Sequence, residues 1–202
     1  MRIIAGSRRG MRLFSPIGTN TRPITDRVKE SIFNIMMKWD LPADAVVADL
    51  FCGTGSFGLE ALSRGAKWVT FIEKDRKTVE ILDRNIAKAG FLKSSRTICY
   101  NVLKIGAAVQ EEMYDLVFVD PPYEMSRNCD MASDVYNLMK QINLQVKDGA
   151  IVILRTHLRS VVLELYGQLE MIDKREWGNM KVLFFKKQTR EKLLEDIDKM
   201  IL

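Results

Sequence analysis

The chain is poor in the residues that metal and triad chemistries need. Its 202 residues include one histidine, His157. A histidine-rich metal site or a Ser-His-Asp triad is therefore not expected, and no metal is predicted. Its three cysteines, Cys52, Cys99 and Cys129, show no Cys-x-x-Cys spacing. That is the usage of a reduced, cytoplasmic protein rather than of a disulfide framework. Long hydrophobic runs are lacking too. The apolar runs are strand-length, far short of the roughly 20 residues that span a bilayer. Arg2 is followed by only three apolar residues before Gly6 and an arginine pair, so no secretory leader and no membrane partner are expected. Acid is missing where base is concentrated: residues 1–25 hold Arg2, Arg8, Arg9, Arg12 and Arg22 and no Asp or Glu. The arm alone accounts for the net charge of +5. Guanidinium forks pair bidentately with phosphate oxygens, so the five arginines are candidate nucleic-acid contacts. The alternative is a solvated basic hairpin that binds nothing.

What is present is an alternation of short apolar runs and amphipathic stretches. Residues 2–14 suggest a hairpin with an arginine-bearing turn, and Thr25 caps a helix to about Trp39. Strands are predicted at 45–51, 68–72, 96–100, 114–119 and 149–154, with helices at 57–64, 75–88, about 101–111, 131–142 and 158–166. Two final strands, 170–177 and 180–185, turn at Gly178-Asn179. This order implies an α/β protein: a Rossmann-like, seven-stranded, mostly parallel sheet with an antiparallel last strand and helices on both faces. An amphipathic helix over 188–202 follows, with Leu193, Leu194, Ile197 and Ile201 on one side.

Two constellations carry chemistry. Asp120-Pro121-Pro122-Tyr123 follows the buried run Leu116–Val119, so a carboxylate, two rigid prolines and an aromatic ring stand where a strand leaves its sheet. Such ends are ligand sites in open α/β sheets. The set suits a flat ring bearing an amine: Asp120 and a proline carbonyl accept its hydrogens, and Tyr123 stacks on its face. A strand merely stopped by Pro-Pro is the alternative. The second constellation runs from Asp49 through Gly53, Gly55 and Gly58 to Glu73, which can accept ribose hydroxyls. The glycine spacing fits a nicotinamide dinucleotide as well as other nucleoside cofactors. Asp49 favours a ligand with a cationic group, since a carboxylate there would repel a pyrophosphate. Asn101, after the third strand, either meets an adenine edge or simply ends the strand.

Together, Asp49-x-x-x-Gly53-x-Gly55, Glu73 and Asp120–Tyr123 resemble the class I S-adenosylmethionine-dependent methyltransferases of exocyclic amines. Arg2–Gly6, Arg22–Glu30 and Gly58–Gly65 further resemble the bacterial 16S rRNA guanine-N2 methyltransferases of the RsmD type, over about residues 1–186. The resemblance implies that Asp49, Phe51, Gly53 and Gly55 surround the methionine part of S-adenosylmethionine. Glu73 would hold the ribose, Asn101 would approach the adenine, and Thr25, Asp26 and Arg27 would cover the site. Asp120, Pro121, Pro122 and Tyr123 would hold the target guanine of 16S rRNA or of the small ribosomal subunit. Helix capping with a surface salt bridge is the alternative for Thr25–Arg27. The expected organisation is a basic arm over 1–40, a methyltransferase domain over 41–187 and a terminal helix over 188–202, acting as a monomer. The rival activities are an adenine-N6 or other DNA amino-methyltransferase, which shares the quartet, and an NAD-dependent oxidoreductase.

Overall fold

The computed structural model describes residues 1–16, 24–108 and 112–189. Helix α1 (Asp26–Met36) opens at Thr25, whose Oγ1 accepts the Val28 N–H at 3.4 Å. The helix buries Val28, Ile32, Phe33 and Met36 on one face. Then come β1 (Val46–Leu50), α2 (Ser56–Ser63), β2 (Trp68–Glu73), α3 (Arg76–Ala89), β3 (Ser95–Cys99) and α4 (Val102–Ile105). The chain continues through β4 (Tyr114–Val119), β5 (Asn128–Cys129), α5 (Asp134–Asn143) and β6 (Val146–His157). It closes with β7 (Val161–Val162), β8 (Leu165–Tyr166), β9 (Leu169–Trp177) and β10 (Met180–Lys187). Local chemistry sets the helix ends. Asp75 and Ser133 accept the third N–H of α3 and α5, and Gly90 ends α3 in the left-handed region at φ +77°.

The main sheet has the order β3-β2-β1-β4-β6-β10-β9-β8. It is parallel from β3 to β6, whereas β10 runs antiparallel to both β6 and β9. Each central strand is apolar on both faces because helices cover both. Leu116 and Phe118 of β4 join Ile151 and Ile153 of β6 in one core, with α1, α2, α3 and the N-terminal residues Ile3 and Leu13. Val117, Val119, Val152 and Leu154 point into the other, with α4 and α5.

The expected α/β sheet with its antiparallel last strand is present, but with eight strands rather than seven. The predicted helix at 158–166 is absent; β7 and β8 take its place. Val161 and Val162 are β-branched and pair with Asn128 and Cys129. Tyr166 turns inward, its hydroxyl donating to the Cys129 carbonyl at 2.7 Å. The helix after β3 stops at Ile105, where Gly106 leaves helical geometry at φ +60°. The helix expected at 131–142 begins only at Asp134, after the Ser133 cap. The amphipathic stretch 188–202 lies outside the described residues from 190 onward. Among the described residues no helix is long and apolar enough to cross a membrane.

Candidate active site

The order β3-β2-β1-β4 reverses at β1: the chain leaves β1 for β2 and β3, then returns to β4 on the other side. The crevice at the carboxyl ends of β1 and β4 is thus the switch point where an α/β sheet receives ligands. Both predicted constellations open onto it, and the Asp120 N–H reaches the Leu50 carbonyl at 3.4 Å.

On the β1 side, Asp49 is buried beneath α2. Its Oδ2 accepts the Gly58 N–H at 2.8 Å, while Oδ1 has no partner among the described residues. Burial pushes its pKa well above the usual carboxylate range; the charges of Asp120 and Glu73 push the same way, and the Gly58 N–H opposes them. After Leu50 the chain turns through Phe51 (φ +54°), Gly53 (φ +54°) and Gly55 (φ +88°). A Cβ on Gly53 would meet no atom within 4 Å, so its backbone borders open space. A Cβ on Gly58 would lie 2.2 Å from Phe71, which makes Gly58 the contact that seats α2 on β2. Glu73 clamps this turn to the end of β2. Its Oε2 accepts the Gly53 N–H at 3.1 Å, and Oε1 accepts those of Lys74 and Asp75 at 2.8 and 3.0 Å. Asn101 caps α4, its Oδ1 accepting the Leu103 N–H at 3.0 Å.

On the β4 side, a residue that the sequence reading missed dominates. Arg155 grips Asp120 through two parallel bonds, Nε to Oδ1 at 2.6 Å and Nη2 to Oδ2 at 2.7 Å. Val119 pairs with Leu154 across the sheet, so Asp120 and Arg155 stand level just beyond it. The signal was available: Arg155, like Asp120, is a charge at the end of an apolar run. Burial raises the Asp120 pKa and Arg155 draws it back. The Pro122 carbonyl accepts the Met125 and Ser126 N–H groups at 3.0 and 3.1 Å, which closes the turn after the quartet. The Pro121 carbonyl has no hydrogen bond among the described residues. The Tyr123 and His157 rings meet edge to face, with centroids 5.7 Å apart at 86°.

Another group joins the three stretches that carried the resemblance. Glu60, fully buried in α2, accepts the N–H groups of Ile4 and Ala5 at 2.7 and 3.0 Å. It also pairs with Arg64 at 2.8 Å and with buried Lys29 of α1 at 3.3 Å. Lys29 reaches Ser56 at 3.4 Å, which ties the first turns of α1 to the glycine turn. Gly6 passes so close to α2 that a Cβ would lie 1.8 Å from the Ser63 carbonyl.

The predicted arm residues are not equivalent. Arg8 donates to the Ala89 carbonyl at 2.6 Å and covers the Phe91 ring, finishing α3. Arg2 pairs with Asp26 at 2.7 Å. Arg9 and Arg12 are exposed, and Arg22 lies outside the described residues. Thr25 and Asp26 thus make the cap and the surface ion pair, at the mouth of the helix that Lys29 ties to the glycine turn; Arg27 is exposed beside them.

Three buried side-chain atoms have no partner among the described residues: Asp49 Oδ1, Arg155 Nη1 and Ser160 Oγ. All lie at the carboxyl ends of β1 and β6. Asp49 Oδ1 suits a cationic amine, Glu73 suits hydroxyls, and Gly53 leaves room beside the backbone. This set of acceptors fits S-adenosylmethionine, and a buried carboxylate against the glycine turn disfavours a pyrophosphate. No group of three or more metal-ligating side chains occurs among the described residues.

The family described as "Conserved hypothetical protein 95" matches residues 1–186. The Bacillus subtilis protein named "Putative rRNA methyltransferase YlbH" is 34% identical over 191 residues, 93% of this chain and 100% of that protein. The Escherichia coli "Ribosomal RNA small subunit methyltransferase D" is 42% identical over 127 residues, 61% of this chain and 60% of that protein. The solved structure of "Putative methyltransferase yhhF" from Escherichia coli is similar at a TM-score of 0.78 and 29% identity, covering 94% of this chain and 99% of that one.

Proposed function

The chain belongs to the Conserved hypothetical protein 95 family, and we propose that it transfers a methyl group from S-adenosylmethionine to the N2 amine of a guanine in 16S rRNA. It is a methyltransferase of small-subunit ribosomal RNA. The observation that carries this reading is one crevice with two open acceptors: Asp49 Oδ1 on its β1 side and the Pro121 carbonyl, beside the oriented Asp120, on its β4 side.

S-adenosylmethionine, when bound, would supply an electrophilic methyl group on a sulfonium, the methyl–sulfur bond breaking as the N–C bond forms and S-adenosylhomocysteine leaving. Asp49 Oδ1 would accept from its α-amino group, with Phe51, Gly53 and Gly55 around the methionine part, Glu73 at the ribose and Asn101 toward the adenine. The target amine is a poor nucleophile because its lone pair is delocalised into the ring. Asp120 and the Pro121 carbonyl accept its two hydrogens, which favours a pyramidal nitrogen with a directed lone pair. Arg155 fixes the plane of the Asp120 carboxylate and leaves each oxygen a lone pair for the base. Tyr123, braced by His157, stacks on the ring. As the new N–C bond forms, the nitrogen must shed a proton; Asp120, whose affinity for protons burial raises, is placed to take it and release it to water. Positioning of this kind supplies roughly 7–11 kcal/mol of the barrier reduction, and matched electrostatics the rest. The base must be extruded or unpaired to enter. Residues 1–40 serve as the RNA-binding and cofactor-covering arm, with Arg9 and Arg12 as its exposed phosphate contacts.

The test is Asp120→Ala, assayed on under-methylated small subunits and on DNA. Methylation should be abolished while S-adenosylhomocysteine still binds. Near-normal turnover would overturn the mechanism. Wild-type methylation of DNA adenine in preference to rRNA would overturn the acceptor.

A further inference from the structure

Beside the quartet lies a depression of about 230 Å³ that the mechanism does not use, lined by Arg127, His157, Arg159 and Ser160. None of the four is acidic, and neither arginine has an ion-pair partner among the described residues. His157 Nδ1 accepts the Arg159 N–H at 3.2 Å, which leaves the ring proton on Nε2 as a donor. Ser160 is 5% exposed, and its Oγ has no partner among the described residues. Lys181 donates to the Ser160 carbonyl at 2.8 Å and adds another cation nearby. Two guanidinium forks, an imidazole N–H and a hydroxyl make a donor set that matches a phosphate.

The depression is also joined to the candidate active site. Arg155 and His157, two residues apart on β6, project from the same face of the strand. Arg155 holds Asp120, and His157 braces Tyr123. Arg127 ends the short 3-10 turn, Met125–Arg127, that follows the quartet. A ligand at these residues therefore sits next to whatever the quartet holds.

We propose that this depression binds a backbone phosphate of the substrate RNA, adjacent to the nucleotide whose base enters the quartet; this rests on the rRNA reading above. Phosphate contacts fix register without reading sequence, so the depression positions the strand while the quartet selects the amine. It places a second grip at the end of β6, on residues distinct from those of the arm.

His157 is the only histidine, so its imidazole Hε1 gives a single histidine Hε1 signal in the NMR spectrum. Titrating the wild-type protein with inorganic phosphate and with a short single-stranded oligoribonucleotide should move that signal, with the oligonucleotide saturating at the lower concentration. In the Arg127→Gln/Arg159→Gln variant neither should move it. That variant should raise KM for rRNA about tenfold, the loss of one charged hydrogen-bonding contact. The slope of log KM against log salt should fall by about one. Its kcat, S-adenosylhomocysteine affinity and thermal unfolding should match the wild type. A shift with phosphate but not with the oligonucleotide would overturn the RNA assignment in favour of a free anion. Unchanged KM and salt slope would overturn it as well. If the wild-type protein methylates no RNA, the functional reading fails, and the oligonucleotide titration still decides the depression by itself.

Discussion

Glu60 and Asp49 are both buried carboxylates, 0% and 1% exposed, yet their surroundings differ. Glu60 takes two backbone N–H groups, Arg64 and Lys29. Asp49 takes one backbone N–H and leaves Oδ1 bare. An unsatisfied buried polar group costs about 1–3 kcal/mol, so a fold does not keep one without cause. At Glu60 the polar groups complete each other, and three separate segments lock together. At the carboxyl ends of β1 and β6 they remain open, and the three orphaned atoms gather there. The first region is finished by the chain itself; the second, on the proposed function, is left for a ligand to finish.

Breaking the finished region should have the larger effect on stability. Glu60→Ala leaves Lys29 buried without its counter-ion, held only by the Arg2 carbonyl and Ser56, and frees the Ile4 and Ala5 N–H groups. The expected loss is about 3–5 kcal/mol, read as a lower urea midpoint. A change below about 1 kcal/mol would show that the hub is not the anchor described.

The open region should respond in the opposite sense. Because the folded pKa of Asp49 is raised, the folded state holds a proton that the unfolded state has released, over the window from the ordinary carboxylate value of about 3.9 up to the raised one. Stability that Asp49 gives at low pH is therefore lost as pH rises through that window, with a slope of up to about 1.4 kcal/mol per pH unit. Asp49→Asn should remove this fall without lowering stability at neutral pH. Urea unfolding of both proteins across a pH series checks it; parallel profiles would contradict the cost assigned to the bare oxygen.

The two regions also differ in how well the sequence announced them. Asp120–Tyr123, the glycine turn and Glu73 were legible because each is a local pattern at the end of a predicted strand. The Arg155–Asp120 pair spans 35 residues and the Glu60–Ile4 bond 56, and no local pattern reports such distances. The arm arginines were legible as charge but not as roles. Arg8 spends its guanidinium on Ala89 and Phe91, whereas the side chains of Arg9 and Arg12, just as exposed, have no such partner among the described residues; composition is the same for both uses. The stretch at 158–166 was misread because its apolar residues fit two periods, and pairing of Val161 and Val162 with residues 128–129 decided between them.

On the proposed function, Asp49 Oδ1 is kept bare for a cationic group of the cofactor. Calorimetric titration with S-adenosylhomocysteine, in buffers of different ionisation enthalpy, tests it directly. Wild-type protein should bind with release of a proton from Asp49 below its raised pKa. Asp49→Asn should lose both the proton release and about 10- to 100-fold in affinity, the worth of one charge-assisted hydrogen bond. Unchanged affinity and unchanged proton release in the variant would contradict the account.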